Sequence, residues 1–127
     1  MQRLFHFAPT SDWDAFVQGS HELWEPASLR SEGFVHLSFA EQLSGTLEIH
    51  FQNVEAVYLL EIEHAAVEEL LRVEPSRGGQ LFPHVYGALP RRAVRGWWEL
   101  VRADGWKLPR FGATASEDEP QASPLST

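Results

Sequence analysis

Three of the six histidines stand in short apolar stretches of the sequence, where side chains are expected to pack in a core. They are His6, His36 and His84, and each has aromatic or β-branched neighbours. Burying an imidazole without a hydrogen-bond partner costs roughly 1 to 3 kcal/mol. Each ring could meet this cost by donating an N–H to a backbone carbonyl, as a structural histidine does. However, His6 and His36 lie near strand ends, where clefts form, so we expect all three to line one cleft as acids, bases or hydrogen-bonding groups.

The spacing of these residues gives less support to a metal site or to a hydrolytic triad. The chain has no cysteine, which excludes disulfides, thiolate metal sites and a cysteine nucleophile. Three imidazoles could hold zinc, nickel or iron, so a three-histidine metal site remains an alternative. No two of the three have a His-x-His or His-x-x-x-His spacing, and we expect no metal. Ser38 and Asp12 are of the right types for a hydrolytic triad, but nothing local places either beside an imidazole.

Length and composition indicate one globular domain. The chain has 127 residues, 43% of them hydrophobic, and a formal net charge of −8. This net negative charge argues against binding to long nucleic acids or anionic membranes. No apolar run approaches the roughly 20 residues of a membrane span. With no signal-peptide pattern at the start, we expect a cytoplasmic protein whose partner is a small molecule, and leave a protein partner open. Residues 113–127 lack apolar periodicity and carry acidic, serine and proline residues, which predicts a flexible tail after a domain over residues 1–112.

The hydrophobic pattern predicts an α+β fold. Alternation, β-branched residues and turn signals predict strands over residues 2–8, 33–38, 57–62, 72–74, 81–86, 96–101 and 106–108. Helical spacing and capping residues predict helices over about 11–17, 39–50 and 65–71, with a helical turn over 91–94. Because Pro83 has no N–H to donate, we expect the strand over 81–86 to be an edge strand or to contain a bulge.

Several blocks of this sequence together resemble a bacterial family, the domain of unknown function 952 family. They are Phe5-His6-Phe7-Ala8, Gly33-Phe34-Val35-His36-Leu37-Ser38 and Phe82-Pro83-His84-Val85-Tyr86-Gly87. The resemblance extends over about residues 2–102. This family is grouped with the ADP-ribosyltransferase superfamily. The resemblance therefore implies a single ADP-ribosyltransferase-like domain, a split, curved β-sandwich with short flanking helices around a cleft for NAD.

The resemblance also implies roles for individual residues. His6 matches the first-strand histidine that hydrogen-bonds the ribose and nicotinamide of NAD, and His36 lies in the block where the transferases place a stacking tyrosine. His84 or Tyr86 would stand near the third motif, where those enzymes place a glutamate. A neutral imidazole cannot supply the negative charge of that glutamate, so here the sequence departs from the transferase pattern.

We therefore expect the cleft to bind NAD, ADP-ribose or a related ribosyl nucleotide. His6, His36 and His84 are the candidate catalytic residues for cleavage or transfer at the anomeric carbon. The candidate ligand-binding residues are His6, Ser38, Tyr86 and Arg91, with Arg77 as another candidate for the pyrophosphate. One alternative is a non-catalytic module that senses a nucleotide. Removal of a 2′-phosphate from RNA fits the acidic balance poorly.

Overall fold

The larger of two main antiparallel sheets contains four strands and forms the centre of the protein. In the computed structural model, which describes residues 2–109, these strands lie in the order Ser38–Phe39 (β4), Leu4–Pro9 (β1), Ala56–Ile62 (β5) and Val94–Val101 (β9). A smaller sheet has the order Val35–His36 (β3), Leu81–Val85 (β7) and Leu71–Pro75 (β6), and Leu23–Trp24 (β2) pairs with Leu89–Pro90 (β8). The predicted α+β class is confirmed. The predicted tail over 113–127 and the end of the domain predicted over 1–112 lie outside the described residues.

Short helices connect and cover the sheets. None of those within residues 2–109 is long and apolar enough to cross a membrane. The α-helices are Thr10–Gln18 (α1), Ala27–Glu32 (α2), Leu43–His50 (α3) and His64–Val67 (α4), and single 3₁₀ turns span Ala40–Gln42, Glu68–Leu70, Arg77–Gly79 and Arg91–Ala93.

Strand β1 is buried on both faces, which is why its sequence is apolar almost throughout. Leu4 and Ala8 pack in one core cluster with α1 and the smaller sheets, while Phe5 and Phe7 pack in a second cluster with α3. The alternation predicted for residues 2–8 is therefore confirmed, with His6 on the same face as Leu4 and Ala8. That face puts the imidazole between sheets rather than in solvent.

The His6 imidazole joins all three sheets. Its Nδ1 lies 2.8 Å from the backbone carbonyl oxygen of His36 on β3, and the indole Nε1–H of Trp24 on β2 donates to Nε2 at 3.0 Å. Because a carbonyl can only accept, Nδ1 carries the proton and Nε2 is the acceptor. Both nitrogens are thus used by the fold, and the side chain is buried.

The stretch over residues 33–38 differs from its prediction as one buried strand. Its residues enter two sheets in succession, since β3 pairs with β7 and β4 pairs with β1. Leu37 alone separates β3 from β4, and its N–H donates to the carbonyl of Pro83 at 3.0 Å. The change of sheet leaves the His36 side chain 44% exposed, so this histidine is not a core residue.

Two further predictions are wrong in their details. Strand β7, which contains Pro83, lies in the middle of its sheet, because Pro83 pairs with Val73 on one side and offers its carbonyl to Leu37 on the other. The helix predicted over 39–50 begins with a 3₁₀ turn at Ala40 and is α-helical only from Leu43, while the Gln42 side chain accepts the Phe39 N–H and holds Phe39 in β4.

The strand predicted over 106–108 is also absent from the described residues. Residues 102–105 form a turn, in which the Gly105 N–H donates to the carbonyl of Arg102. Trp106 and Leu108 then pack against the second core cluster instead of extending the sheet.

Because the His6 imidazole joins the three sheets, we expect the stability of the fold to decrease in acid. Burial lowers the pKa of His6 from 6.5 to about 4, so between these values the unfolded chain binds a proton that the folded protein does not. The free energy of unfolding therefore contains the full contribution of neutral His6 above pH 6.5, and it falls by about 3 kcal/mol as the pH drops to 4.

Urea unfolding measured across this pH range should show this fall in the free energy of unfolding of the parent protein. His6→Gln, which cannot titrate, should lack this part of the pH dependence, whereas the exposed-site control His21→Gln should retain it. Equal pH profiles for the parent and His6→Gln would contradict the assignment.

Candidate functional site

A cleft of about 620 Å³ opens where the larger and smaller sheets meet. The aromatic side chains of Phe7, Phe51 and Phe82 form part of its apolar wall. Its polar lining comes from α2, β3, β4, α3 and the 3₁₀ turn before β7, and includes Ser28, Glu32, His36, Ser38, Thr46 and Arg77. A smaller cavity of about 430 Å³ beside Arg102 and Trp106 is lined by none of the predicted site residues.

Glu32 and His36 form the exposed ion-pairing group of the cleft. The Glu32 Oε2 lies 2.9 Å from the His36 Nε2, and both side chains are about half exposed. Gly33 stands between helix α2 and strand β3 with φ +89°, a left-handed conformation that ends the helix and turns the chain at once into the strand. This sharp turn places a helix-terminal carboxylate beside the imidazole four residues later.

Arg77 provides the positive charge of the cleft. Its Nη1 donates to the Thr46 hydroxyl at 3.3 Å, and its guanidinium lies over the Phe82 ring at 4.9 Å. The Thr46 hydroxyl is in turn 3.5 Å from that of Ser38. Among residues 2–109, no carboxylate forms an ion pair with Arg77, so its charge is available to an anionic ligand.

Gly45 makes room for this arginine. A Cβ atom at position 45 would lie 3.2 Å from the Arg77 Nη2, which is closer than most such contacts. A glycine lowers helix stability by about 1 kcal/mol relative to alanine, and in α3 the missing side chain lets the guanidinium pack against the helix.

His6 lines the cleft but has no free nitrogen to offer to a ligand. The His36 carbonyl and the Trp24 indole occupy Nδ1 and Nε2, and burial keeps the ring neutral near pH 7 because it lowers the pKa to about 4. The prediction that His6 is an acid, a base or a ribose ligand is therefore not supported by its geometry. The ring instead holds the carbonyl end of β3 in place.

His84 lies next to the cleft rather than on its wall. It pairs across the strands with His36, and the two ring centroids are 5.2 Å apart. Its Nδ1 is 2.8 Å from the Glu74 Oε1, which also accepts a hydrogen bond from the Tyr86 hydroxyl. The hydrogen bond from Tyr86 and, to a smaller extent, the one from His84 lower the pKa of Glu74. Tyr86 is thus directed at Glu74 on the neighbouring strand, and it does not line the cleft.

Arg91 does not line the cleft and instead supports the end of helix α1. Its guanidinium donates to the carbonyls of Phe16, Gly19 and His21 and lies over the Phe16 ring at 4.5 Å. Phe16 lies in the last turn of α1, where carbonyls have no partners within the helix, and the arginine supplies a donor to it and to the two carbonyls that follow the helix. Of the two arginines considered for the pyrophosphate, Arg77 lines the cleft and Arg91 does not.

Besides His6, the structure brings three of the predicted ligand-binding or catalytic side chains to the cleft, His36, Ser38 and Arg77, and it adds Glu32 and Thr46. Glu32 could have been found from its spacing to His36 across Gly33. Thr46 carries no comparable signal in the sequence. No group of three or more His, Cys, Asp or Glu residues within residues 2–109 is arranged to hold a metal ion.

Comparisons with known proteins agree with the resemblance seen in the sequence. Residues 7–97 match the family model described as "Protein of unknown function (DUF952)". The crystal structure of protein CC0527 from Caulobacter crescentus is similar at a TM-score of 0.66 and 29% identity, with 94% of this chain and 93% of that chain covered. The solution NMR structure of CC0527 gives a TM-score of 0.70 and 32% identity over 84% and 91% of the two chains. No curated protein matches this chain.

Substitution of Gly33 should lower the free energy of unfolding by an amount that depends on how well the new residue tolerates a left-handed backbone. Nothing lies within 4 Å of a Cβ built there, so the left-handed backbone alone determines the cost. Gly33→Ala should lower the free energy of unfolding by about 1 kcal/mol, whereas Gly33→Asn should cost less because asparagine tolerates this conformation. Urea unfolding of the two variants tests the ranking. An alanine variant as stable as the parent would show that the turn relaxes.

Proposed function

Because the chain belongs to the DUF952 family, whose description assigns no activity, we propose a function from the cleft itself: it binds NAD, ADP-ribose or a related ribosyl nucleotide. The observation that carries this proposal is the meeting of an unpaired guanidinium, a carboxylate–imidazole pair and aromatic walls in one cavity. A volume of about 620 Å³ is within the usual range for small-molecule sites.

Each part of the cleft suits one part of such a ligand. Arg77, with the hydroxyls of Thr46 and Ser38 beside it, would hold a phosphate through charge-assisted hydrogen bonds. Glu32 and His36 have exposed oxygen and nitrogen atoms that can bond ribose hydroxyls. Phe51, which is only partly buried, offers aromatic surface against which a base can pack.

We propose in addition that the fold is of the ADP-ribosyltransferase type. The order of the sequence blocks over residues 2–102 supports this relationship. Two antiparallel sheets with short helices, and a cleft where the sheets meet, are compatible with it. A shared fold alone does not determine activity, so the proposed ligand depends on the side chains described above.

Cleavage at the anomeric carbon is a second candidate function, and Glu32 is the observation that favours it. Its carboxylate supplies at the cleft the negative charge that the histidines lack. In a hydrolysis of NAD, the bond from the anomeric carbon to nicotinamide breaks and its electron pair leaves with the ring nitrogen. A water oxygen then bonds to that carbon and gives its proton to His36 or Glu32. Release of nicotinamide distinguishes this enzyme from a protein that only binds the nucleotide.

Binding can be tested by calorimetric titration with ADP-ribose, NAD and zinc. We expect Arg77→Gln to weaken affinity at least about tenfold, because a charge-assisted hydrogen bond to phosphate is lost. His36→Ala should abolish binding while the protein stays folded. Arg95→Gln is the matched control, since Arg95 pairs with Glu63 outside the cleft and should leave the affinity unchanged. A parent protein that binds neither nucleotide, or a response to zinc alone, would refute the proposal.

Gly45 allows a test in which stability and affinity change in opposite directions. Gly45→Ala should raise the free energy of unfolding by up to about 1 kcal/mol through helix propensity, yet weaken ADP-ribose binding because the new methyl group displaces the Arg77 guanidinium. Ser44→Ala in the same helix should also stabilise the protein but leave affinity unaltered. Unfolding and titration of both variants provide the comparison. Unchanged affinity in Gly45→Ala would show that the position of Arg77 does not matter for binding.

A further inference from the structure

His84 carries a hydrogen-bonding atom that the described protein leaves without a partner. The residue is only 2% exposed, and its Nε2 is buried with no hydrogen-bond partner among residues 2–109. The other unpartnered buried side-chain atoms are all indole N–H groups, those of Trp13, Trp97 and Trp106. A buried polar atom without a partner is costly, so an unpaired imidazole nitrogen at this position calls for a ligand or a role.

Glu74 determines which nitrogen of the His84 ring carries the proton. The carboxylate can only accept, so the proton of a neutral His84 ring is on Nδ1, 2.8 Å from Glu74 Oε1. The Nε2 is then a bare acceptor. Tyr86 donates to the same carboxylate oxygen and so helps to fix Glu74, which holds the ring in this tautomer.

The position of β7 directs Nε2 towards the cleft. Strand β7 lies between β6, which carries Glu74, and β3, which carries His36. Because the two nitrogens lie on different sides of an imidazole ring and Nδ1 faces β6, Nε2 lies on the side of β3. There the His36 ring is 5.2 Å away between centroids, and Phe34 stacks on His84 at 4.1 Å.

The His36 ring both lines the cleft and lies next to the His84 ring. His36 lines the cleft and its side chain is 44% exposed, so a change in its rotamer would open a path from the cleft to His84. Phe82, two residues before His84 on the same face of β7, also lines the cleft. His84 therefore lies immediately behind the cleft wall formed by these two residues.

We propose that the Glu74–His84 pair forms a second subsite behind His36, in which His84 Nε2 accepts a hydrogen bond from a hydroxyl or amide N–H of the bound ligand. This inference rests on the proposed function, and it specifies the ligand chemistry further. A ribosyl nucleotide would hold its phosphate at Arg77 and direct a ribose hydroxyl or carboxamide past His36. Phosphate-bearing compounds without such a donor would use only the Arg77 side of the cleft.

The experiment is ¹⁵N NMR of the histidine side chains during titration with ADP-ribose, combined with calorimetry of variants. In the free protein, His84 should be the tautomer with its proton on Nδ1. Saturation with ADP-ribose should shift the Nε2 resonance, and His84→Phe should bind about tenfold more weakly while packing against Phe34. Glu74→Gln, whose amide can donate to Nδ1 and move the ring proton to Nε2, should lose affinity similarly. His21→Phe should behave as the parent protein.

The outcomes distinguish the subsite from the proposed function. If ADP-ribose binds and moves the resonances of His36 but not those of His84, the subsite is wrong and the cleft proposal stands. If ADP-ribose does not bind at all, both proposals are overturned. Should His84→Phe fail to fold, the titration of the parent protein still decides between these results.

Discussion

The fold depends on one imidazole staying neutral between three sheets. His6 donates to the carbonyl of β3 and accepts from the indole of β2, while its own strand is the second strand of the larger sheet. A charged His6 could not accept from Trp24, so protonation removes one of the two bonds. The residue that its sequence context first suggests as catalytic is therefore used for architecture, and the same bonds position the strand that carries His36.

The three histidines of the apolar stretches consequently have different physical situations. His6 is buried and fully hydrogen-bonded, His36 is exposed and ion-paired, and His84 is buried with one nitrogen held by a carboxylate. Burial and pairing, rather than residue type, decide which nitrogen a ligand can reach. Pairing also decides the charge of the cleft: in a chain of net negative charge, no carboxylate among residues 2–109 forms an ion pair with Arg77, whose guanidinium lies over the Phe82 ring.

Sequence reasoning predicted the long strands well and the short ones poorly. The alternation in β1 and the apolar run in β5 follow from burial by neighbouring layers, which local periodicity reports directly. Within residues 35–39 the chain passes from one sheet to another, and local periodicity does not report this change because it depends on partner strands far along the chain. The candidate site shows the same division. His36 and Ser38 were predicted from their strand, but the sequence left both Arg77 and Arg91 as candidates, because it does not show that Arg91 donates to carbonyls at the end of α1 and just beyond it.

The single residue between β3 and β4 has a consequence for how the cleft meets a ligand. Leu37 is itself hydrogen-bonded to Pro83, so no flexible segment joins the two sheets at this point and they cannot swing independently about it. The walls contributed by β1 and β3 are thus set at a fixed separation when the protein folds. A cavity of this kind is preorganised, and a ligand entering it need not order the connecting backbone. Association of the proposed ligand would then be governed by diffusion to the open cleft, and discrimination between ligands would depend on shape and charge rather than on closure of a lid.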